Sequence, residues 1–392
     1  MLLTWVTYSL LQGHPLDSRC NVADSNNYVL SDRSDGIIFD GSVTAAGYIT
    51  DTFAGKDEEL GEITIDPGAE TIKIGEYTLS FTDDGFTFDG IIFASSGTET
   101  KTQAQGTVSG YASGGFNGVT TQNIIEKFPF SVDTNSADIA DLTQVRSGAA
   151  GQSSASSGYT SGGLAPPSAS TIDKFPFSTD TNATNVGVLI QARYSTAGQA
   201  SISHGYTSGG FATSRVNTID KFPFAADTDA AEVGVITETR NRLAGQSSIT
   251  HGYSSGGNNP ALSNTIDKFP FATDTDATNV GDLTRGDDQL AGQSSDTSGY
   301  ASGGIPPGTN IIEKFPFASD TNATDIAELF VQRHLAAGQS STVSGYTSGG
   351  AVSSFPTTYI DTIDKFPFAT DTNATEVGTL TENKASVSGQ QV

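Results

Sequence analysis

The sequence predicts an all-β chain, a six-bladed β-propeller closed by a C-terminal strand and preceded by a small β-rich N-terminal domain. Three repeated phrases predict it. F-P-F recurs six times, starting at Phe128, Phe175, Phe222, Phe269, Phe315 and Phe366. G-Y-x-S-G-G precedes each copy, starting at Gly110, Gly158, Gly205, Gly252, Gly299 and Gly345. A-G-Q-x-S starts at Ala150, Ala197, Ala244, Ala291 and Ala337, and is missing from the first unit. A period of about 47 residues marks an array of supersecondary units, each needing its neighbours to bury its apolar face.

The second unit shows the elements in order. Gly151-Gln-Ser-Ser-Ala155 and Gly158–Gly163 read as two short antiparallel strands, a and b. A segment rich in Pro and Ser, residues 164–170, leads to strand c, Thr171–Phe177, where alternation places Asp173, Phe175 and Phe177 on one face. Pro176 cannot donate to a ladder, so it is expected at a bulge or on an unpaired side. Asp180-Thr-Asn-Ala-Thr184 is a turn by side-chain chemistry. Strand d, residues 185–190, then runs on to Arg193 and the next A-G-Q. Gly, Pro, Ser and Thr interrupt each unit too often for a helical stripe. Four short strands per unit describe a propeller blade. The F-P-F phenylalanines, worth roughly 1.5–3 kcal/mol each when buried, are expected to supply much of the packing between blades.

Ser388-Gly-Gln-Gln-Val392 repeats the strand a phrase after the sixth unit, whereas the first unit offers only Ala104–Thr107 before Gly110. The C-terminal strand is therefore expected to complete the first blade, because an open array would need capping units. A seventh blade drawn from residues 60–100 is the alternative. With strand a innermost, Gln152, Gln199, Gln246, Gln293, Gln339 and Gln390 are expected around a polar, hydrated channel.

The division expected is an irregular arm at 1–27, a β-sandwich-like attachment domain at 28–100, and the propeller at 101–392. Strand-like alternation supports the second, as in Glu62–Asp66, Thr71–Gly75 and Tyr77–Phe81. The arm carries Trp5, Tyr8 and several leucines. It is expected to dock on another subunit, the alternative being its own domain. Acidic residues number 44 against 19 basic ones, a net charge of −25. That balance repels nucleic acid, whose binding rests on clustered Lys and Arg, and it favours solubility. A single cysteine, Cys20, excludes an intrachain disulfide framework and a Cys-based zinc site. The apolar opening has no basic residue before Arg19 and no clear cleavage site, which argues against a signal peptide. No stretch reaches the ~20 apolar residues of a membrane span.

The recurrent polar residues offer no catalytic constellation. His204 and His251 occupy the position that Ser157 and Ser298 hold in other units, so they read as structural variants. Asp173, Asp220, Asp267 and Asp364, with Glu126 and Glu313, occupy equivalent environments, whereas a general acid and base need different ones. The D-T-x-A-T turns place oxygens at alternate positions but lack the Gly and Glu of a calcium loop. The N-A-T triplets at Asn182, Asn322 and Asn373 read as turn residues too. No catalytic residue, metal site or cofactor is expected.

Between units, strands b and c scarcely change while the b–c connection changes completely: residues 116–123, 164–170, 211–217, 258–264, 305–310 and 351–361. Rigid scaffolds place binding residues on such loops, although surface loops also drift without function. Phe116, Phe211, Asn258, Phe355 and Tyr359 are the candidate ligand-binding residues.

The order of basic residue, strand, strand ending in diglycine, variable loop, aromatic strand, Asp turn and fourth strand resembles the kelch family over about residues 104–392. Arg146, Arg193, Arg240 and Arg333 stand at the basic position, Gly162-Gly163 at the diglycine, and Phe175 where the family has Tyr. No Trp follows the turn, and Asp287 stands at the basic position of the fifth unit, with Arg285 two residues earlier. The phrase Phe366-Pro-Phe-Ala-Thr-Asp-Thr-Asn-Ala-Thr375 is similar to repeats in structural proteins of marine bacteriophages. That resemblance implies a virion component of the tail, fibre or another appendage. Residues 1–100, with Trp5 and Tyr8, would attach it to other virion proteins. A propeller displayed toward a host surface glycan or protein is the first functional expectation, a purely architectural virion role the second, and a polysaccharide-degrading enzyme the third.

Overall fold

A computed structural model describes residues 105–305, 309–352 and 357–392 in full, together with the backbone of eight strands between residues 29 and 94. Val29–Arg33 and Gly36–Asp40 pair as a hairpin. Phe53–Asp57, Gly61–Asp66, Thr71–Ile74, Tyr77–Thr82, Gly85–Phe88 and Ile91–Ala94 form a six-stranded antiparallel sheet in chain order. Residues 1–27, including Trp5 and Tyr8 of the expected attachment arm, lie outside the described residues.

From Gln105 on, the chain folds as a six-bladed β-propeller. Blade 2 consists of strand a (Ala150–Ser153), b (Ser157–Ser161), c (Thr171–Pro176) and d (Thr184–Val188), hydrogen-bonded in that order. Blades 3 to 6 repeat it, with strand a at Ala197–Ala200, Ala244–Ser247, Ala291–Ser294 and Ala337–Ser340. Blade 1 takes b, c and d from Ser109–Ser113, Ile124–Pro129 and Ala137–Asp141, and its strand a from Ser388–Gln391. Gln390 stands opposite Tyr111 and Ser388 opposite Ser113. The two ends of the repeat array are thus fastened in one sheet, and the ring closes at six blades.

Each repeated phrase has a packing reason. The first phenylalanine of every F-P-F is 1–2 % exposed. It lies over the glycine of G-Y on the adjacent strand, where a Cβ would enter the ring. The tyrosine of G-Y reaches forward between blades: Tyr159 lies 5.5 Å from the Phe222 ring and 4.7 Å from Phe224. The second phenylalanine is half-buried in five blades and buried only at Phe177, so full burial of both holds in blade 2 alone. Pro176 occupies the unpaired alternative. Phe177 N–H donates to Ser156 O on the strand b side, so Pro176 faces the strand d side, where pairing has ended at Lys174. The bulge falls earlier, opposite the Ile172–Asp173 step, where strand d carries the extra residue Val186.

At the axis the sequence expectation needs correction. The glutamines sit on the innermost strands, but their side chains are 0–2 % exposed and do not face a channel. Gln152 Nε2 donates to Ser161 Oγ in its own blade and to Tyr206 O in the next, both at 2.9 Å. The same two bonds recur in all six blades. A primary amide spanning two adjacent sheets satisfies buried groups that water would otherwise have to reach. The axis itself is lined by Gly151, Gly198, Gly245, Gly292, Gly338 and Gly389, each packed so closely that a Cβ would collide with the preceding blade's glycine carbonyl. They surround a cavity of about 120 Å³.

The turn between c and d is a staple between blades. Asp180 accepts from Lys127 Nζ at 3.3 Å and Asn182 Oδ1 from Asp141 N–H at 3.0 Å, both on the preceding blade. Equivalent lysine and amide bonds recur around the ring. These turns are therefore structural, as their chemistry implies, although their main partners are across the blade junction.

Candidate binding rim

The a–b and c–d turns lie on one face of the ring, and the b–c and d–a connections on the other. The chain joins the ring on the first face: Gly106 N–H donates to Ser340 O and Gln105 Nε2 to Ser294 O, at the far end of strand a from the variable loops. All six variable loops consequently share the opposite rim.

The start of each b–c loop is fixed by the diglycine. Gly162 has φ +67° and Gly163 φ +107°, a left-handed path that L side chains rarely take, and a Cβ on Gly162 would lie 2.6 Å from Arg193 O. The next residue then bridges to a residue of the neighbouring d–a connection, as Leu164 does to Ser147 and Phe211 to Tyr194. Each loop is thus anchored at its root.

The inner edge of the rim is a closed belt of backbone hydrogen bonds. Ser195 N–H donates to Gly148 O, Arg242 to Ser195, Gln289 to Arg242, Leu335 to Gln289, Ser386 to Leu335 and Gly148 to Ser386, at 2.7–2.9 Å. All six belt residues have φ between +54° and +62°. Non-glycine residues in this region carry strain of about 1 kcal/mol or more, and persist where surrounding structure over-determines them. Here the belt does so.

Sequence-selected residues are distributed around this rim. Phe116 and Tyr359, from blades 1 and 6, meet edge to face at 5.7 Å. Asn117 Nδ2 beside them donates to Glu382 Oε2 at 3.0 Å. Phe211 packs on Tyr194 at 5.6 Å. Asn258 Oδ1 accepts from Arg215 Nη2, whose Nε donates to Asn241 Oδ1 at 3.2 Å. Phe116, Phe211 and Tyr359 are half-buried against these neighbours, not free in solvent. Phe355 lies outside the described residues. Tyr194, Asn241, Arg242 and Glu382 escaped the sequence reading because they belong to d–a connections, which looked like linkers between units. Their signal was departure from the repeat: no other unit has Tyr at the position of Tyr194.

The recurrent carboxylates are accounted for in the same way. Arg146 Nη2 pairs with Asp173 at 2.8 Å, and its Nη1 donates to Gly162 O and Thr171 O, both at 3.0 Å. Arg193–Asp220, Arg240–Asp267, Arg333–Asp364 and Lys384–Glu126 repeat the pair, every side chain fully buried. Blade 5 breaks the pattern. Glu313 accepts from Thr284 N–H and Oγ1, while Asp287 replaces the buried cation and pairs with Arg285 at 2.7 Å. Burial pushes the Asp287 carboxyl up to about 6 against the opposing pull of Arg285. At the histidines, Ser203 Oγ and Thr250 Oγ1 lie 2.8 Å from Nδ1 of His204 and His251, and burial lowers both imidazole pKa values.

The chain matches no protein-family model, and a search of curated proteins returned no similar sequence.

Proposed function

We propose that the protein is a non-enzymatic interaction module whose variable rim contacts a partner, and that it serves as a bacteriophage virion component displaying that rim toward the host surface. One observation carries the binding reading: the six b–c loops, which differ between units in both sequence and length, are rooted on one face, and the chain joins the ring on the opposite face. A rigid scaffold whose connections vary most, in length as well as sequence, on one face is built as recognition surfaces are. The virion assignment rests on the likeness of the F-P-F-A-T-D-T-N-A-T phrase to marine phage structural repeats. The kelch-like order of elements supports a binding scaffold without naming its ligand. Host surface glycan or protein is the partner class, and other virion proteins would be held through residues 1–100.

The test exchanges loops of equal length. Residues 211–217 and 258–264 are each replaced by the sequence of residues 164–170, and adsorption of the purified protein to host cells is measured beside its melting temperature. Weaker adsorption at unchanged melting temperature is expected. Unchanged adsorption by exchanges covering every loop would instead favour the purely architectural role.

A further inference from the structure

Fourteen lysines and arginines fall within residues 105–392. Six are the strand c lysines, each bridging to the next blade's turn. Five are the buried cations Arg146, Arg193, Arg240, Arg333 and Lys384. The repeat therefore requires eleven. The remaining three, Arg215, Arg242 and Arg285, all stand on the rim, Arg215 in the b–c loop of blade 3 and the others in the connections leading to blades 4 and 5.

Their setting is polarised. Arg242 pairs with Asp288 at 3.4 Å and Arg285 with Asp287 at 2.7 Å, but the guanidinium side chains are 45 % and 36 % exposed while the carboxylates beneath are 1 % and 2 % exposed. Arg215 is held by the neutral amides of Asn241 and Asn258. On a chain of net charge −25, this arc turns three guanidinium groups outward and buries Asp287 and Asp288 beneath two of them, Glu238 being the exposed acid of the connection that carries Arg242. Fields of this kind concentrate and orient anions.

We propose that the arc from blade 3 to blade 5 is an anion-binding subsite that takes the carboxylate or sulfate groups of an acidic polysaccharide. The inference rests on the rim being a binding surface. Guanidinium groups match such oxyanions with paired N–H donors. The Asn241 and Asn258 amides supply donors and acceptors of the kind that sugar hydroxyls use, and the Tyr194–Phe211 pair adds an apolar platform on the same blade. Nucleic acid fits poorly, because affinity for a phosphate backbone grows with the number of cations engaged, and the rest of the molecule repels it.

Binding of the full chain to immobilised polygalacturonate, dextran sulfate and neutral dextran decides the matter, with the first two distinguishing carboxylate from sulfate. Capture by at least one acidic polymer and not by dextran is expected. Arg215→Gln should weaken it about tenfold, the loss of one charge-assisted contact. Because Arg242→Gln alone strands Asp288, it is combined with Asp288→Asn, and that double variant should weaken binding as well. Lys174→Gln removes a strand c charge and should leave binding unchanged. Failure of both acidic polymers to bind, or equal losses from Lys174→Gln, would overturn the inference. If loop exchanges abolish host adsorption while the arginine variants retain it, the rim reading stands and the anion subsite falls.

Discussion

Removal of Ser388–Val392 should open the ring. In the closed form Ser388–Gln391 supplies four ladder pairings to strand b of blade 1. Gln390 Nε2 donates to Ser113 Oγ and Tyr159 O, Gln391 N–H to Ser153 Oγ, and Ser388 Oγ to Ala149 O, all at 2.8–3.0 Å. Val392 O gathers the amides of Thr107, Val108 and Ser109. Roughly ten hydrogen bonds at about 1 kcal/mol each are lost. The freed entropy of five residues, about 1 kcal/mol apiece at the low end, offsets half of that. A net loss of about 5 kcal/mol remains, a large part of a typical domain's stability. For a body of this size it corresponds to a fall in melting temperature of about 8 °C. The exposed edge of blade 1 should also promote association. Calorimetry and size-exclusion chromatography of the truncated and full chains measure both effects. A truncated chain that melts within about 2 °C of the full one and elutes as the same single species would refute the closure energetics.

Gly245→Ala places a methyl against the backbone carbonyl of Gly198, which cannot swing aside, and should cost about 1–3 kcal/mol or more in denaturant titration. Full stability in that variant would show that the axis is looser than described. Arg240→Ala leaves Asp267 buried without its cation and should cost about 3–5 kcal/mol, whereas Arg240→Met with Asp267→Leu should recover most of it. Equal melting of the single and double variants would count against the buried-charge explanation. Asp287 is ionised at a cost in the folded chain, since its pKa of about 6 lies above its unfolded value. Its penalty is therefore fully present above pH 6 and relieved as pH falls toward 4, a change of about 3 kcal/mol. The half-buried imidazoles of His204, His251 and His334 act in the opposite sense, so Asp287→Asn is the comparator. The variant should be more stable than the parent at pH 7.5 and nearly equal to it at pH 4, and a gap independent of pH would disprove the assignment.

Closure and strand order were legible because they follow from local chemistry repeated six times. The C-terminal Ser388–Val392 announces itself as a strand a without a blade, and the F-P-F and G-Y phrases fix strands c and b. What could not be read were partnerships between blades. Nothing in Asp180-Thr-Asn-Ala-Thr184 says that Asp180 will meet Lys127, or that Asn182 will reach the strand d amide of Asp141, because those partners lie 53 and 41 residues away. The glutamines were placed on the correct strand and turned the wrong way, since their choice between axis and blade junction depends on where the serine and tyrosine acceptors of the next blade fall. The left-handed belt was hidden for a different reason. Ser195, Arg242, Gln289, Leu335 and Ser386 are not residues that signal positive φ, and only the neighbouring blades hold them there.

Symmetry supplies the sharper guide to function. Around the ring each polar position of the repeat has a partner assigned by the fold: lysine to turn aspartate, arginine to strand c carboxylate, glutamine to serine and to a backbone carbonyl. Such residues are explained without any ligand. What the repeat leaves unexplained is a short set concentrated on the rim, in which Asp287 replaces a buried arginine, Asp288 lies under Arg242, and Arg215 is added in a loop. Substituting Asp at a cation's place forfeits a buried ion pair that the other five blades keep. In exchange the same stretch turns two guanidinium groups to solvent above their own acids. A junction that gives up an internal pairing and gains an outward charge, at the face where every loop already differs, has the composition of a contact surface.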